Sequence, residues 1–271
     1  MDYLDAIMQR KRREMAERAR PVHKRDLAKW AECPRVGPTF QQALAAPGQL
    51  SIIAEIKRRS PSAGTLSENT SIPEQVRQYY NAGADAISVL TDGPDFGGNL
   101  RDLWEATDLM ISRADPRPCL RKDFTVHPLQ ILEAAEAGAR AILLIVRALD
   151  DDTLKSFYDA TNLAGLDTLF EIHSESDLER ALAAQARIIG VNNRDLADFT
   201  TDLTLSQRLL PQVPANLTRV SESGIHTPDD AQCVRQAGAD AILIGEALMT
   251  AESPLTLIKA IKQATSDVHP S

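Results

Sequence analysis

"AGADAISVL" at residues 82–90 recurs almost unchanged as "AGARAILLI" at 137–145 and "AGADAILIG" at 237–245. Weaker copies are "AGLDTLFEI" at 164–172 and, without the glycine, "AAQARIIGV" at 183–191. Each copy follows a helical pattern, and its glycine lies where the helix should end, because glycine adopts the left-handed conformation at little cost. The apolar run that follows indicates a strand buried on both faces, as in parallel sheets. The repeat therefore predicts a helix–strand unit used several times.

Eight apolar runs of this kind alternate with helical patterns, and a further helix is expected near 254–264. The predicted strands are 51–57, 86–91, 118–124, 141–146, 167–172, 187–192, 217–222 and 240–245. This alternation predicts an α/β fold, a (β/α)8 TIM barrel. A doubly wound sheet is the alternative, but it usually has fewer strands, and its glycine-rich dinucleotide turn is absent from the sequence.

The segment before the first predicted strand, residues 1–45, predicts two extra helices at 3–19 and 38–45 that lie across one end of the barrel. No long low-complexity linker interrupts the chain. We therefore expect one TIM-barrel domain over 1–271, with 1–45 as an N-terminal helical extension and 50–265 as the barrel.

The composition is that of an ordinary globular protein, with 43% hydrophobic and 25% charged residues among 271. The longest apolar runs are too short for a membrane span, and the charged N-terminal segment does not resemble a secretory signal. Three widely spaced cysteines argue against a disulfide framework and a zinc cluster. These features predict a cytoplasmic protein with no membrane partner.

The net charge of −8 is unevenly distributed, because residues 1–35 carry ten Lys or Arg against six Asp or Glu. Such a basic segment is also found in nucleic-acid-binding proteins. Here the acidic residues are interleaved with the basic ones, and no aromatic residues are spaced to stack on bases. The pattern predicts the solvated face of a helix and no nucleic-acid partner.

Polar residues follow the predicted strands at their carboxyl ends, where the active sites of such barrels lie. Glu55 and Lys57, two residues apart in the first strand, share the face that points into the barrel. Burying unpaired charges is costly, so the alternatives are a paired structural network or a site with acids and bases for an anionic substrate. The other strand ends contribute Arg121, Lys122, Asp123, Glu171, His173, Asn192, Asn193, Arg194, Glu222 and Ser223.

Glycine turns after three strands offer backbone N–H groups of the kind that bind phosphate: "SPSAG" after the first, "SESG" after the seventh and "LIGE" after the eighth. Barrels often bind phosphate at the loops after strands seven and eight. Each glycine alone is equally compatible with a plain turn. The five histidines show no metal-ligand spacing, so no metal site is predicted.

Eight motifs in order resemble the indole-3-glycerol phosphate synthase family of tryptophan biosynthesis: "IIAEIKRRSPSAG", "SVLTDGPDFGG", "LRKDF", "LLIV", "FEIH", "GVNNRDL", "SESGI" and "LIGEALM". The resemblance covers about residues 1–265. It implies ring closure, decarboxylation and dehydration of 1-(2-carboxyphenylamino)-1-deoxyribulose 5-phosphate to indole-3-glycerol phosphate, CO2 and water. It implies no metal, nicotinamide or pyridoxal cofactor.

The resemblance also assigns residues. Lys122 matches the main general acid and Lys57 a second lysine, which contacts the substrate carboxylate and is a candidate acid for dehydration. Glu171 and Glu55 match the acidic pair, Glu171 as a base or a partner of Lys122 and Glu55 as a proton carrier near Lys57. Residues matching those that orient the substrate and the lysines are Asn192, Arg194, Glu222 and Ser223. The phosphate site matches Ser60, Gly224, Gly245 and the backbone of Glu246, and the apolar walls match Phe96, Phe124, Leu143 and Leu196.

The family pattern is broken at Ala63, where a lysine is common, and at Arg147, where smaller residues are frequent. Neither departure touches a proposed catalytic position. Other readings remain open: another phosphate-binding barrel such as phosphoribosylanthranilate isomerase, a Schiff-base aldolase using Lys122, or a barrel that serves as a binding module. We expect a monomer or weak homodimer that binds a small phosphorylated substrate.

Overall fold

The computed structural model describes residues 3–45, 48–60, 64–65, 71–195, 200–266 and 268. Eight parallel strands form a closed barrel in which each strand pairs with the next along the chain and the first pairs with the last. The predicted (β/α)8 barrel is therefore confirmed. The barrel strands are β1 (Ser51–Ile56), β2 (Ala86–Leu90), β3 (Cys119–Lys122), β4 (Ala141–Ile145), β5 (Asp167–Ile172), β6 (Ile188–Asn192), β7 (Thr218–Glu222) and β8 (Ala241–Ile244).

Helices fill the segments between strands and cover the outside of the barrel. In chain order they are α1 (Tyr3–Arg18), α2 (Lys24–Glu32), α3 (Phe40–Leu44), α4 (Ile72–Ala82), α5 (Leu100–Ile111), α6 (Pro128–Glu136), α7 (Asp151–Leu163), α8 (Glu175–Ala183), α9 (Thr204–Leu209), α10 (Pro228–Gln236), α11 (Glu246–Thr250) and α12 (Pro254–Thr265). None of the described helices has the length and apolar character needed to span a membrane.

The described part of the N-terminal extension contains both predicted helices, α1 and α3, and a third helix that was not predicted. The unexpected helix is α2, which has nine residues and a single buried side chain, Leu27. Leu27 and the partly buried Trp30 are its apolar contacts with the core, which are too few to give a repeating pattern along the sequence. The structure also adds a short antiparallel pairing after β1, between Arg59–Ser60 and Gly64–Thr65.

The repeated glycines end their helices as the sequence predicted. Gly83, Gly138 and Gly238 have φ angles of 90°, 79° and 105°, in the region that glycine adopts without steric cost. In the copy that lacks the glycine, Gln185 takes the same left-handed conformation with φ of 64°. The backbone of the repeat is thus kept even where the residue best suited to it is missing.

The two faces of β1 serve different layers of the fold. Ile52, Ala54 and Ile56 are buried in the hydrophobic core, whereas Glu55 points into the barrel and approaches lysine side chains at its mouth. The predicted alternation along this strand is therefore confirmed. It places a carboxylate where the barrel interior opens toward solvent.

Candidate active site

Lys122, the last residue of β3, lies among three glutamates from three other strands. Its Nζ atom is 3.2 Å from Glu222 Oε2, 3.6 Å from Glu171 Oε2 and 3.8 Å from Glu55 Oε2. These glutamates belong to β7, β5 and β1, which are far apart in sequence but converge at the mouth of the barrel. The structure thus brings together four of the six catalytic residues predicted from the sequence around one ammonium group.

Burial and charge compete at this cluster. Burial acts to lower the pKa of Lys122, but the neighbouring carboxylates outweigh it and raise that pKa above its usual value. At Glu222, burial raises the pKa of the carboxyl and Glu171 adds to the effect, while Lys122 opposes it. Because Glu222 holds a proton more readily than an exposed glutamate does, the cluster can store and pass on protons.

Lys57 forms the second lysine site, just beyond the end of β1. Its Nζ atom is 3.7 Å from Glu55 Oε1, so Glu55 lies between the two lysines. Burial lowers the pKa of Lys57, and Arg194 adds to the shift, although Glu55 opposes it. The two lysines are therefore different acids: Lys57 gives up its proton more easily than an exposed lysine, and Lys122 holds its proton more tightly.

Gly190, in the middle of β6, leaves the space that Glu222 occupies. A Cβ atom at this position would lie 2.1 Å from Glu222 Oε1 and 3.0 Å from Leu169 Cδ1. Gly190 was not predicted as a site residue, although a glycine inside a strand often marks a close approach of another group. Gly190 is thus part of the support for the Lys122–Glu222 contact.

We expect Gly190→Ala to lower kcat by about 10- to 100-fold, because the new methyl group turns the Glu222 carboxylate away from Lys122. The carboxylate is the mobile end of a side chain, so the free energy of unfolding should fall by only about 1–3 kcal/mol. Steady-state kinetics and urea unfolding measure the two effects. A variant with normal kcat and reduced stability would contradict this role of Gly190.

Two consecutive asparagines at the carboxyl end of β6 make different contacts. Asn192 is buried, pairs in register with Glu222, and accepts a hydrogen bond from the Arg194 backbone N–H at 3.1 Å. Asn193 donates from Nδ2 to the carbonyl oxygens of Glu222 at 2.9 Å and Ser223 at 3.1 Å. Asn193 therefore fixes the backbone that carries Glu222, a role that the sequence analysis did not assign.

The predicted phosphate residues after β7 and β8 come together in one small cavity. Ser223 and Gly224 have φ angles of 63° and 77°, and this turn faces Gly245 across a cavity of about 30 Å³ that Lys57 and Arg194 also line. The Glu246 carboxylate accepts a hydrogen bond from Arg194 Nη2 at 3.1 Å. The backbone of Ser60 belongs to the short pairing after β1, and the position of its side chain is not described.

The predicted apolar wall is partly assembled at the opposite side of the mouth. The rings of Phe96 and Phe124 lie with their centroids 6.0 Å apart. Leu143 is buried in β4, and its carbonyl oxygen accepts a hydrogen bond from Thr125 Oγ1 at 2.9 Å. Leu196, the fourth predicted wall residue, lies outside the described residues.

The basic N-terminal helix is joined to the rim by buried ion pairs, so its predicted role as a solvated face was wrong for Lys11. That side chain is only 2% exposed, and its Nζ atom is 2.7 Å from Asp92 Oδ1 and 3.2 Å from Asp123 Oδ1. Asp123 also pairs with Arg121 at 2.9 Å. Because Asp123 directly follows Lys122, helix α1 contacts the strand end that carries the central lysine.

Comparison with known proteins shows the family of the chain. A family model described as indole-3-glycerol phosphate synthase matches residues 4–261. A protein of that name from Opitutus terrae is 55% identical over 258 residues, covering 95% of this chain and 97% of the relative. Another from Exiguobacterium sibiricum is 41% identical over 269 residues, covering 99% of this chain and 100% of the relative.

A solved structure shares the fold alone. Thiamine phosphate pyrophosphorylase from Pyrococcus furiosus matches with a TM-score of 0.60 at 17% identity, covering 82% of this chain and 97% of that one.

The mouth of this parallel barrel gathers two lysines and three glutamates at the strand ends, where barrel enzymes carry their active sites. Family matches over almost the whole chain place it among the carboxy-lyases. The chain belongs to the indole-3-glycerol phosphate synthase family. The resemblance, the fold class and the lyase class predicted from the sequence are confirmed.

Proposed function

We propose that this chain closes the indole ring of 1-(2-carboxyphenylamino)-1-deoxyribulose 5-phosphate, releasing CO2 and water and forming indole-3-glycerol phosphate. The observation that carries the proposal is Lys122, held within 3.8 Å of three carboxylates at the barrel mouth. This arrangement provides a positioned ammonium acid surrounded by groups that accept and return protons. Family membership supports the same reaction.

Ring closure is assigned to Lys122. The aryl carbon that bears the carboxylate attacks the C2′ carbonyl carbon, and the carbonyl oxygen takes the Lys122 proton as the new C–C bond forms. The C–C bond to the carboxylate then breaks, CO2 leaves, and its electron pair restores the aromatic ring. Glu171 and Glu222 keep Lys122 protonated before the step and stabilise its position.

Dehydration is assigned to the Lys57–Glu55 pair and to Glu171. A base removes a proton from the new five-membered ring, and an acid protonates the departing hydroxyl group as water. The lowered pKa of Lys57 suits it to donate that proton, and Glu55, 3.7 Å away, can return one. Glu171 is our candidate for the base, with Glu222 as its proton store.

Substrate binding divides between the two sides of the mouth. The phosphate would lie at Gly224 and Gly245, with Ser60 and the backbone of Glu246 completing the site. Ser223 would help to orient the substrate. Arg194 and Asn192 would orient the substrate below it, and Lys57 would face the carboxylate. The aromatic ring would pack against the Phe96–Phe124 pair and Leu143, with Leu196 as a further wall residue.

The test is turnover by the purified chain without any added cofactor. With the carboxyphenylamino substrate we expect indole fluorescence to rise and one CO2 to be released per product. No product under conditions in which another family member is active would refute the proposal. Borohydride should trap no lysine adduct, whereas trapping at Lys122 would favour a Schiff-base aldolase.

The domain extent, localisation, partners and oligomeric state of the enzyme are also proposals. We propose that residues 1–271 act as one cytoplasmic unit that binds neither nucleic acid nor membrane, as a monomer or weak homodimer. The buried contacts of Lys11 with Asp92 and Asp123 support one unit, because they join the N-terminal extension to the barrel. Light scattering across a concentration series measures the oligomeric state.

A further inference from the structure

His173 is a buried histidine beside the catalytic cluster to which the proposed reaction gives no task. Its side chain is 7% exposed, and Nε2 is 3.6 Å from Glu171 Oε1. Neither ring nitrogen has a hydrogen-bond partner among the described residues. Buried polar groups are nearly always hydrogen-bonded, and an unpaired one is costly. An imidazole in this position therefore calls for a functional explanation.

The placement of His173 repeats that of Lys57. On β1, Lys57 follows Glu55 by two residues and lies 3.7 Å above it. On β5, His173 follows Glu171 by two residues at a similar distance. The two strands are four steps apart around the eight-stranded ring in either direction, so they lie on opposite walls. Each wall thus carries a carboxylate with a nitrogen base above it.

The Glu171 carboxylate lies between two nitrogen groups. Its Oε2 atom faces the Lys122 ammonium at 3.6 Å, and its Oε1 atom faces His173. When Lys122 passes its proton to the substrate, Glu171 loses the positive charge beside Oε2. Among the described residues, His173 is then the side chain placed to donate a hydrogen bond to this carboxylate.

The surroundings keep the His173 imidazole neutral near neutral pH. Burial lowers the pKa of His173 and Arg147 adds to the shift, while Glu171, Asp177 and Asp195 oppose it. These groups come from β5 itself, the segment after β4, helix α8 and the segment after β6. A neutral imidazole still carries one N–H donor, so it can serve a carboxylate without neutralising its charge.

We propose that His173 is a positioning residue for Glu171, turning its Nε2–H onto Oε1 when Lys122 moves its ammonium toward the substrate. The contact of 3.6 Å is longer than a hydrogen bond, and a small rotation of either side chain closes it. This inference rests on the proposed function, because the hydrogen bond would hold the ionised Glu171 in place at the moment when a base is needed.

A kinetic double-mutant cycle tests the coupling. His173→Leu should lower kcat by about 10- to 100-fold with KM changed less than about threefold, since a hydrogen bond to a charged group is lost. His173→Gln should recover most of the activity, because its amide also donates. In a Glu171→Gln background, His173→Leu should cost less than about twofold. If His173→Leu lowered kcat by the same factor with Glu171 present and in the Glu171→Gln background, the proposal would be overturned.

An NMR titration tests the contact without using turnover. In Glu171→Gln, the pKa of His173 should fall by about one unit, because the carboxylate that favours its charged form is gone. The His173 signal is assigned by its loss in His173→Gln. The matched control is His23→Gln, at an exposed histidine, which should leave the His173 signal in place. An unchanged His173 pKa would overturn the proposal. Absence of indole product from the unmodified chain would instead refute the proposed function.

Discussion

Lys122→Met should lower kcat by about 10³- to 10⁴-fold while KM changes by no more than about threefold. The proton of this lysine matters when the carbonyl oxygen gains negative charge in the transition state, and it contributes little to binding of the ground state. Methionine keeps the length and the apolar part of the side chain but cannot carry the proton. Single-turnover and steady-state kinetics with the carboxyphenylamino substrate measure the two constants.

The matched control is Lys155→Met, at an exposed lysine on α7 that pairs only with Asp159 among the described residues. It should leave both constants unchanged. If Lys122→Met raised KM alone, Lys122 would be a binding residue and the acid would have to be sought at Lys57. Circular dichroism is needed beside the kinetics, because three carboxylates lose their shared cation in this variant.

Lys11→Met should lower the free energy of unfolding by about 1–3 kcal/mol at neutral pH, because the buried Asp92 and Asp123 lose the cation that they share. The loss is limited because each aspartate keeps one arginine partner, Arg10 for Asp92 and Arg121 for Asp123. The exposed neighbour Arg12 provides the matched control on the same helix. Arg12→Met should stay within about 0.5 kcal/mol. Urea unfolding of the two variants gives the comparison, and equal stabilities would show that the buried pairs contribute nothing.

The loss in the free energy of unfolding caused by Lys11→Met should be largest near neutral pH and smaller in acid. Burial would raise the pKa of Asp123, but Arg121 and Lys11 outweigh it and hold that pKa below its ordinary value. The resulting stability is present above about pH 4 and is lost as the pH falls through the lower folded pKa. In Lys11→Met the pKa of Asp123 in the folded protein rises. The difference in the free energy of unfolding between this variant and the unmodified protein should therefore narrow below about pH 4.

The fold was largely predictable because one structural unit is written into the sequence several times. Gly83, Gly138 and Gly238 mark the ends of three helices, and each lies a few residues before a buried strand. The alternation of side chains between the two faces of β1 then placed Glu55 inside the barrel. Local patterns of this kind carry their information within about ten residues, which is why the strand boundaries agree with the structure to within one or two positions.

The parts of the site that escaped prediction depend on contacts between distant segments. Gly190 matters because the Glu222 side chain occupies the space beside it. Lys11 matters because its ammonium group forms ion pairs with two aspartates from distant parts of the sequence. Neither relation leaves a periodic trace in the sequence. His173 was visible at a strand end, but only the distance to Glu171 and its unpaired nitrogens indicate what it does.

The closure of the barrel by its first and last strands also bears on the order in which the enzyme becomes active. Ser51 of β1 aligns with Ala241 of β8, so this seam cannot form on the ribosome until the chain has been synthesised through β8, about 190 residues after β1. Glu55 stands beside that seam, with Gly245 immediately across it. Long-range pairings of this kind are slow to form. The acid–base centre should therefore mature at the end of folding, and a nascent chain would remain inert until its final strand is in place.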